Sequence, residues 1–442
     1  MSTRRVRSFA AAGIVSSLLL TGCIGGGGSS GVADDSSTIR VQALAGPIIQ
    51  ALEPMAEAYE EANPGVTVQL ESVSNDAARQ PNIATLTSSN APDVGFSQID
   101  SGVYQTLRDE GDLASVDEVW DNAELENHYP ESAIAALGED EGERHGVLMF
   151  QALAPVVYYN SDLFDELDIE VEDDRQMSPE EFEGVVETLD EDGTGGLGVG
   201  GNTAYHLHHL AMGMLSGATD EAEYEQYLEN WDPAVELNTT YSDGPFMDVV
   251  NTMNEWNETG VFPDGMLSQD YTQAASAFVG GQTGMFLGGS WTPGELYGDL
   301  DVPFGVDWFH VPSIDDEVEN QLQLFSGDIF VIPEAAGNKE GAADFLEFVS
   351  TVEQQSNIVE TGTLLPIFTT VPESSLSSLN DVTASVLDAS NTSSAVQYGP
   401  YLPTEIGQEF GVRQYQSMLS GEITPDQVAA EFDTQLENLR AE

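Results

Sequence analysis

The chain has 442 residues and a mass of 47.4 kDa, with 77 Asp and Glu against 11 Lys and Arg, for a net charge of −66 and a pI near 4.1. So negative a surface repels phosphate backbones and anionic headgroups, which excludes nucleic-acid binding and electrostatic membrane docking. The single cysteine, Cys23, excludes intrachain disulfides, cysteine zinc clusters and a CxxC redox pair.

Apolar residues are 40% of the chain, enough to bury cores in roughly two to three domains at ~150 residues each. Ten of the 11 cations are arginine, and the only lysine is Lys339. Acid spread through an ordinary apolar pattern, with almost no lysine, reads as a surface kept soluble in concentrated salt. There the Debye length falls to about 3 Å at 1 M and self-repulsion costs little. The organism implied is an extreme halophile; an acidic extracellular protein is the plainer alternative.

The N-terminus carries Arg4, Arg5 and Arg7 and then an apolar stretch over 10–20. That stretch is too short for a membrane of about 30 Å. Leu20-Thr21-Gly22 follows, directly before Cys23. This resembles a lipoprotein signal over 1–22, cleaved before Cys23, with lipid on its sulfur; Arg4-Arg5 resembles a twin-arginine (Tat) export signal. Residues 24–37 are Gly/Ser-rich, a flexible tether of about 20 Å r.m.s. reach. Without the leader's three arginines the balance is 8 cations against 77 anions, or −69. Asn238, Asn257 and Asn391 open glycosylation sequons.

After the tether, short apolar strands alternate with amphipathic stretches. A strand is expected over Ile39–Leu44, then a helix from Ile48 to Tyr59 that Asn63-Pro64-Gly65 stops. Further strands are expected over 66–70, 92–96, 147–150, 156–159, 284–287, 304–308 and 329–332. The alternation predicts parallel sheets with helical crossovers. Ser178-Pro179-Glu180-Glu181 and Thr424-Pro425-Asp426-Gln427 read as capped helix starts.

There is no GxxxxGK[ST], GxSxG or HExxH. His206, His208 and His209 fall in one predicted helix, where only His206 and His209 have metal-ligand spacing; the competing reading is a structural pair. Paired carboxylates would suit a glycosidase, but with 77 acids such pairs arise by chance. No cofactor or metal is expected.

Several segments, in order, resemble the family 1 extracellular solute-binding proteins of ABC importers, the group containing maltodextrin-binding protein. They are LEPMAEAYEEANPGVTV over 52–68, Ala91-Pro92-Asp93-Val94, Glu110-Gly111-Asp112-Leu113, Val156-Val157-Tyr158-Tyr159-Asn160, FVGGQTGMFLGGSW over 278–291, stretches of 329–365, and Gly421–Val428. The resemblance covers nearly all of 39–442. It implies an α/β, two-lobed periplasmic-binding-protein-like fold of type II, with a ligand cleft and three hinge crossings near 150–155, 324–328 and 361–365. Lobe one would hold 39–150 plus 327–361, and lobe two 154–324 plus 364–442. It also implies a monomer that carries a sugar to ABC permease subunits, touches the membrane only through its lipid anchor at the extracellular face, and is not an enzyme.

Sugars present hydroxyls at the edge and C–H groups on the face, so a site needs planar hydrogen bonders and an aromatic platform. In the family an aromatic at the place of Trp291 stacks on the sugar; the alternative is an ordinary core tryptophan. Asp100 resembles the family carboxylate that receives sugar hydroxyls, or else caps a helix. Ser97 stands where the family has an aromatic, beside Gln98. Gln151, Ser326 and Asp328 fall at predicted crossings, Ser290 adjoins Trp291, and Tyr398 and Tyr401 would line the second lobe. Tyr205 and His208 are further candidates, whereas Tyr158 and Tyr159 read as structural. Alternatives within the fold are a polyamine, a peptide or iron; outside its function, a surface glycoside hydrolase or a structural surface protein.

Overall fold

The computed structural model describes residues 37–73, 81–99, 103–130, 133–134, 137, 143–298, 300–315, 318–325, 328–360, 364–392, 396–397, 402–403 and 405–441. The expected signal segment, Cys23 and the Gly/Ser-rich tether lie outside them. Residues 36–442 form one compact unit.

The strands are β1 (Thr38–Leu44), β2 (Thr67–Val73), β3 (Gly95–Gln98), β4 (Gly146–Leu148), β5 (Phe150–Ala154), β6 (Val156–Asn160), β7 (Gly195–Gly198), β8 (Thr283–Gly288), β9 (Val306–Phe309), β10 (Gln323–Phe325), β11 (Asp328–Val331), β12 (Leu365–Pro366) and β13 (Val396–Gln397). They form sheets ordered β1-β2, β3-β11-β4, β7-β8-β6-β9 and β12-β5-β10-β13.

The expected helix after β1 runs over Pro47–Ala62 and buries Ile48, Leu52, Met55, Ala56 and Tyr59 on one face. It ends where Asn63 Nδ2 donates to the Tyr59 carbonyl at 3.0 Å and Gly65 turns at φ +101°. Both predicted caps form. Ser178 Oγ accepts from Glu181 N at 3.3 Å while Glu181 returns the bond to Ser178 N at 2.9 Å. Thr424 and Gln427 repeat that exchange before the helix Pro425–Ala441.

The expectation of parallel sheets is corrected. Parallel pairing joins β1 to β2, β7 to β8 and β10 to β13, but β3–β11, β4–β11, β5–β10, β5–β12, β6–β8 and β6–β9 are antiparallel. The cause is topological. A strand that returns from a distant part of the chain, such as β11, enters its sheet from the opposite end, and no βαβ crossover fixes its direction. The strand expected at 92–96 starts later, at Gly95. Asp93 is diverted by its carboxylate, which accepts the amides of Arg40 and Asn338 at 2.8 Å each.

One core gathers apolar residues of 39–150 with 329–368. A second gathers 154–311 with 406–436, and a third lies between Leu153, Tyr158, Phe286, Trp308 and Val386. The strand β5 links all three, with Phe150 in the first core, Leu153 in the third and Ala154 in the second. Its neighbours β10 and β12 bring the other two predicted crossing regions beside it, with Leu324 opposite Leu153 and Leu365 opposite Gln151. The first core reaches further along the chain than the expected boundary at 361. Leu364, Ile367 and Phe368 join it, and Phe368 stacks on His128 with centroids 4.8 Å apart.

Among the described residues the cations are all engaged. Arg40, Arg108, Arg144, Arg175, Arg413 and Lys339 each pair with a carboxylate. Arg440 donates to the carbonyls of Asn230, Asp232 and Val235.

Candidate functional site

Trp291 is the one described tryptophan packed against both the first and the second core, with its side chain half-buried between them. It follows β8 by a short loop and directly precedes the helix Thr292–Gly298. Gly289 makes room for it: a Cβ there would lie 2.1 Å from Cζ3 of the indole. The Tyr205 ring meets Trp291 edge-on, with centroids 6.4 Å apart at 76°. Tyr205 stands at the start of the helix His206–Ser216, against His209 at 4.8 Å.

Beneath this pair lies a second aromatic layer. The His206 ring is 5.1 Å from Tyr271, whose hydroxyl is 2.9 Å from Thr292 Oγ1. Nδ1 of His206 accepts the Gly200 amide at 2.9 Å, and burial pulls its pKa down to about 3, so the imidazole is neutral. Enclosure, and after it the nearby Glu295 carboxylate, push the Tyr271 phenol well above its ordinary value. Glu295, on the same helix as Thr292, reaches toward the first core: its Oε1 would be 4.0 Å from a Cβ on Gly46, at the start of Pro47–Ala62. The Trp291 loop is therefore a place where the two cores approach each other.

The other candidates fall into distinct places. Gln98 and Asp328 are opposite residues of β3 and β11, with Gln98 Nε2 donating to Asp328 Oδ1 at 3.2 Å. Ser97 is fully buried beside Ile329, and its hydroxyl has no partner among the described residues. Gln151 lies on β5 opposite Leu365 and is half-buried. Ser290 is buried, with its amide bonded to the Leu153 carbonyl at 2.8 Å and its Oγ accepting the Leu153 amide at 3.1 Å. His208 lies inside the second core, its ring 6.2 Å from Tyr415 and close over Gly411. Asp100, Ser326, Tyr398 and Tyr401 lie outside the described residues.

Tyr271, Thr292 and Glu295 were not legible as site residues. Thr292 looks like a helix start, and Tyr271 lies within an Asp270–Gln273 capping box that explains its surroundings locally. Only tertiary folding brings Tyr271 to Thr292, the neighbour of Trp291. Among the described residues, no group of three or more His, Cys, Asp or Glu could hold a metal ion, and no helix is long and apolar enough to cross a membrane.

The arrangement is a half-buried aromatic face, with the Tyr271 and Thr292 hydroxyls and the Glu295 carboxylate on the elements next to it, between two cores joined by adjacent strands. An uncharacterized ABC transporter extracellular-binding protein of Pyrococcus horikoshii is 22% identical over 359 residues, covering 78% of this chain and 75% of that protein. A chitin oligosaccharide binding protein superposes with a TM-score of 0.76 at 17% identity, covering 92% of this chain and all of the other. A maltose-bound protein of T. maritima superposes at 0.72 with 15% identity, covering 91% and 99%. Residues 45–356 match the bacterial extracellular solute-binding proteins, so the chain belongs to that family of ABC-transporter binding proteins and has their two-lobed α/β fold.

Proposed function

We propose that this protein captures a sugar, a monosaccharide or short oligosaccharide, and delivers it to an ABC import permease from a lipid anchor on Cys23 at the outer face of the membrane, after export by the twin-arginine route. The observation that carries the sugar reading is Trp291, a half-buried aromatic face between two cores. Stacking on the C–H face of a pyranose is what such a surface does well. Sugar-bound and oligosaccharide-binding structural neighbours support the class of ligand.

No bond in the solute needs to be made or broken. Lobe one is assigned to 39–150 and 327–368, and lobe two to 154–324 and the remaining C-terminal chain. Closure about β5, β10 and β12 would bury the solute, and a permease that recognises the closed form would then receive it. The acid-rich surface suits concentrated salt, where the charge is screened.

A thermal-shift screen of sugars in molar salt selects the ligand, because a ligand that binds only the folded form raises its melting temperature. Calorimetry then compares wild type with Trp291→Ala. Removing about 60 Å² of stacked face at ~25 cal/mol/Å² costs roughly 1.5 kcal/mol, or at least about tenfold in Kd. Unchanged affinity would remove Trp291 from the site, and a screen without a sugar hit would remove the sugar reading. Saturable binding with no hydrolysis of chromogenic glycosides separates transport from a glycoside hydrolase.

A further inference from the structure

Trp291 is flanked by three residues, Gly289 and Ser290 before it and Thr292 after it, whose polar groups are bonded inward. The Gly289 carbonyl accepts the Tyr158 hydroxyl at 2.7 Å and the Thr292 amide at 2.9 Å. The Gly289 amide donates to Thr292 Oγ1 at 3.1 Å, and that oxygen is also bonded to the Tyr271 hydroxyl. Ser290 is tied to Leu153 of β5 through both its amide and its hydroxyl. Both Tyr158 and Thr292 are fully buried, so neither can touch a ligand in the space that Trp291 faces.

We infer that Tyr158 and Thr292 are positioning residues: they clamp Gly289 from its two sides, fix the indole above it, and fasten the ring to the strand that crosses between the cores. Two features make the clamp specific. Gly289 has no side chain to limit its backbone, so its conformation is set by what bonds its carbonyl and its amide. The indole lies directly over that residue, so rotating the peptide swings the ring. The bonds to Leu153 pass the orientation on to β5, whose register with β10 and β12 belongs to the same sheet. The ring therefore turns with the crossing strand rather than independently. Only the binding arm of the test rests on the reading of Trp291 as the stacking residue.

The chain has five tryptophans, so protein labelled with 5-fluorotryptophan gives five fluorine signals, and Trp291→Phe identifies the one to follow. In ligand-free protein at constant salt, Thr292→Val and Tyr158→Phe are each expected to shift or broaden the Trp291 signal and leave at least three of the others in place. Thr292→Ser, which keeps the hydroxyl, is expected to restore it. In the binding arm, Tyr158→Phe, which loses one buried hydrogen bond, and Thr292→Val, which loses two, are each expected to weaken the screened sugar at least roughly threefold. A Trp291 signal unmoved in both variants overturns the inference, as does a Thr292→Ser signal that moves as far as the valine one. If Trp291→Ala itself leaves sugar binding intact, the stacking role of Trp291 fails while the fluorine result still decides the clamp.

Discussion

Alanine at position 289 tests the site at its tightest point. The added Cβ would lie 2.1 Å from Cζ3, 2.3 Å from Cη2 and 2.6 Å from Cε3 of Trp291. Non-bonded carbons pack at about 3.5–4.0 Å, so the ring has to move by more than about 1 Å. Gly289 is not among the residues with positive φ, so its backbone accepts alanine and the disturbance is carried by the indole. If Trp291 stacks on the sugar as proposed, a ring displaced that far loses about 1.5 kcal/mol for ~60 Å² of sugar face, and binding is expected to weaken about tenfold. Titration calorimetry in molar salt, run beside a denaturation curve, reads both effects. Gly298→Ala, at the end of the helix that follows the loop, is the control, since nothing lies within 4 Å of a Cβ there. A Gly289→Ala protein that folds and binds within about twofold of wild type would refute the account of how the ring is held.

Gly184 is exposed within the helix Pro179–Asp192 and has nothing within 4 Å of a would-be Cβ. Gly184→Ala should therefore raise stability by about 0.5–1 kcal/mol in denaturant unfolding. His206 is held near pKa 3, below its ordinary value, so between pH 3 and 6.5 the unfolded chain binds a proton that the folded one refuses. Its contribution is complete above about pH 6.5 and falls by up to ~1.4 kcal/mol per pH unit on acidification. His206→Asn should flatten the stability profile between pH 6.5 and 5 by that slope, and an equal slope in both proteins would contradict the burial argument. Cys23→Ala should move the protein from the membrane pellet to the medium; continued membrane retention would count against the anchor.

Element positions were largely legible because they depend on local signals. The helix Pro47–Ala62 could be read from its apolar spacing and its Asn-Pro-Gly stop, and the two capping boxes from four residues each. Sheet direction was not legible, since β11 pairs with strands more than 180 residues earlier and nothing local orients it. Nor was β7, whose sequence Gly-Gly-Leu-Gly lacks strand-forming side chains and is accepted because neighbours press on its backbone. At the site, Trp291 was visible as an aromatic behind two glycines. Tyr158 was visible too, but only as structural, and its bond to Gly289 spans 131 positions of sequence.

The cations have a consequence for how this protein can change. Each described one already serves a carboxylate or a set of carbonyls. Moving Arg40 or Arg440 toward other acids would leave the net charge as it is and would open a fold contact. Relief has to come from new lysines or from lost acids. Either can accumulate on outward faces one substitution at a time, leaving the tryptophan loop untouched. Surface charge and the tryptophan loop can thus change on separate parts of the molecule.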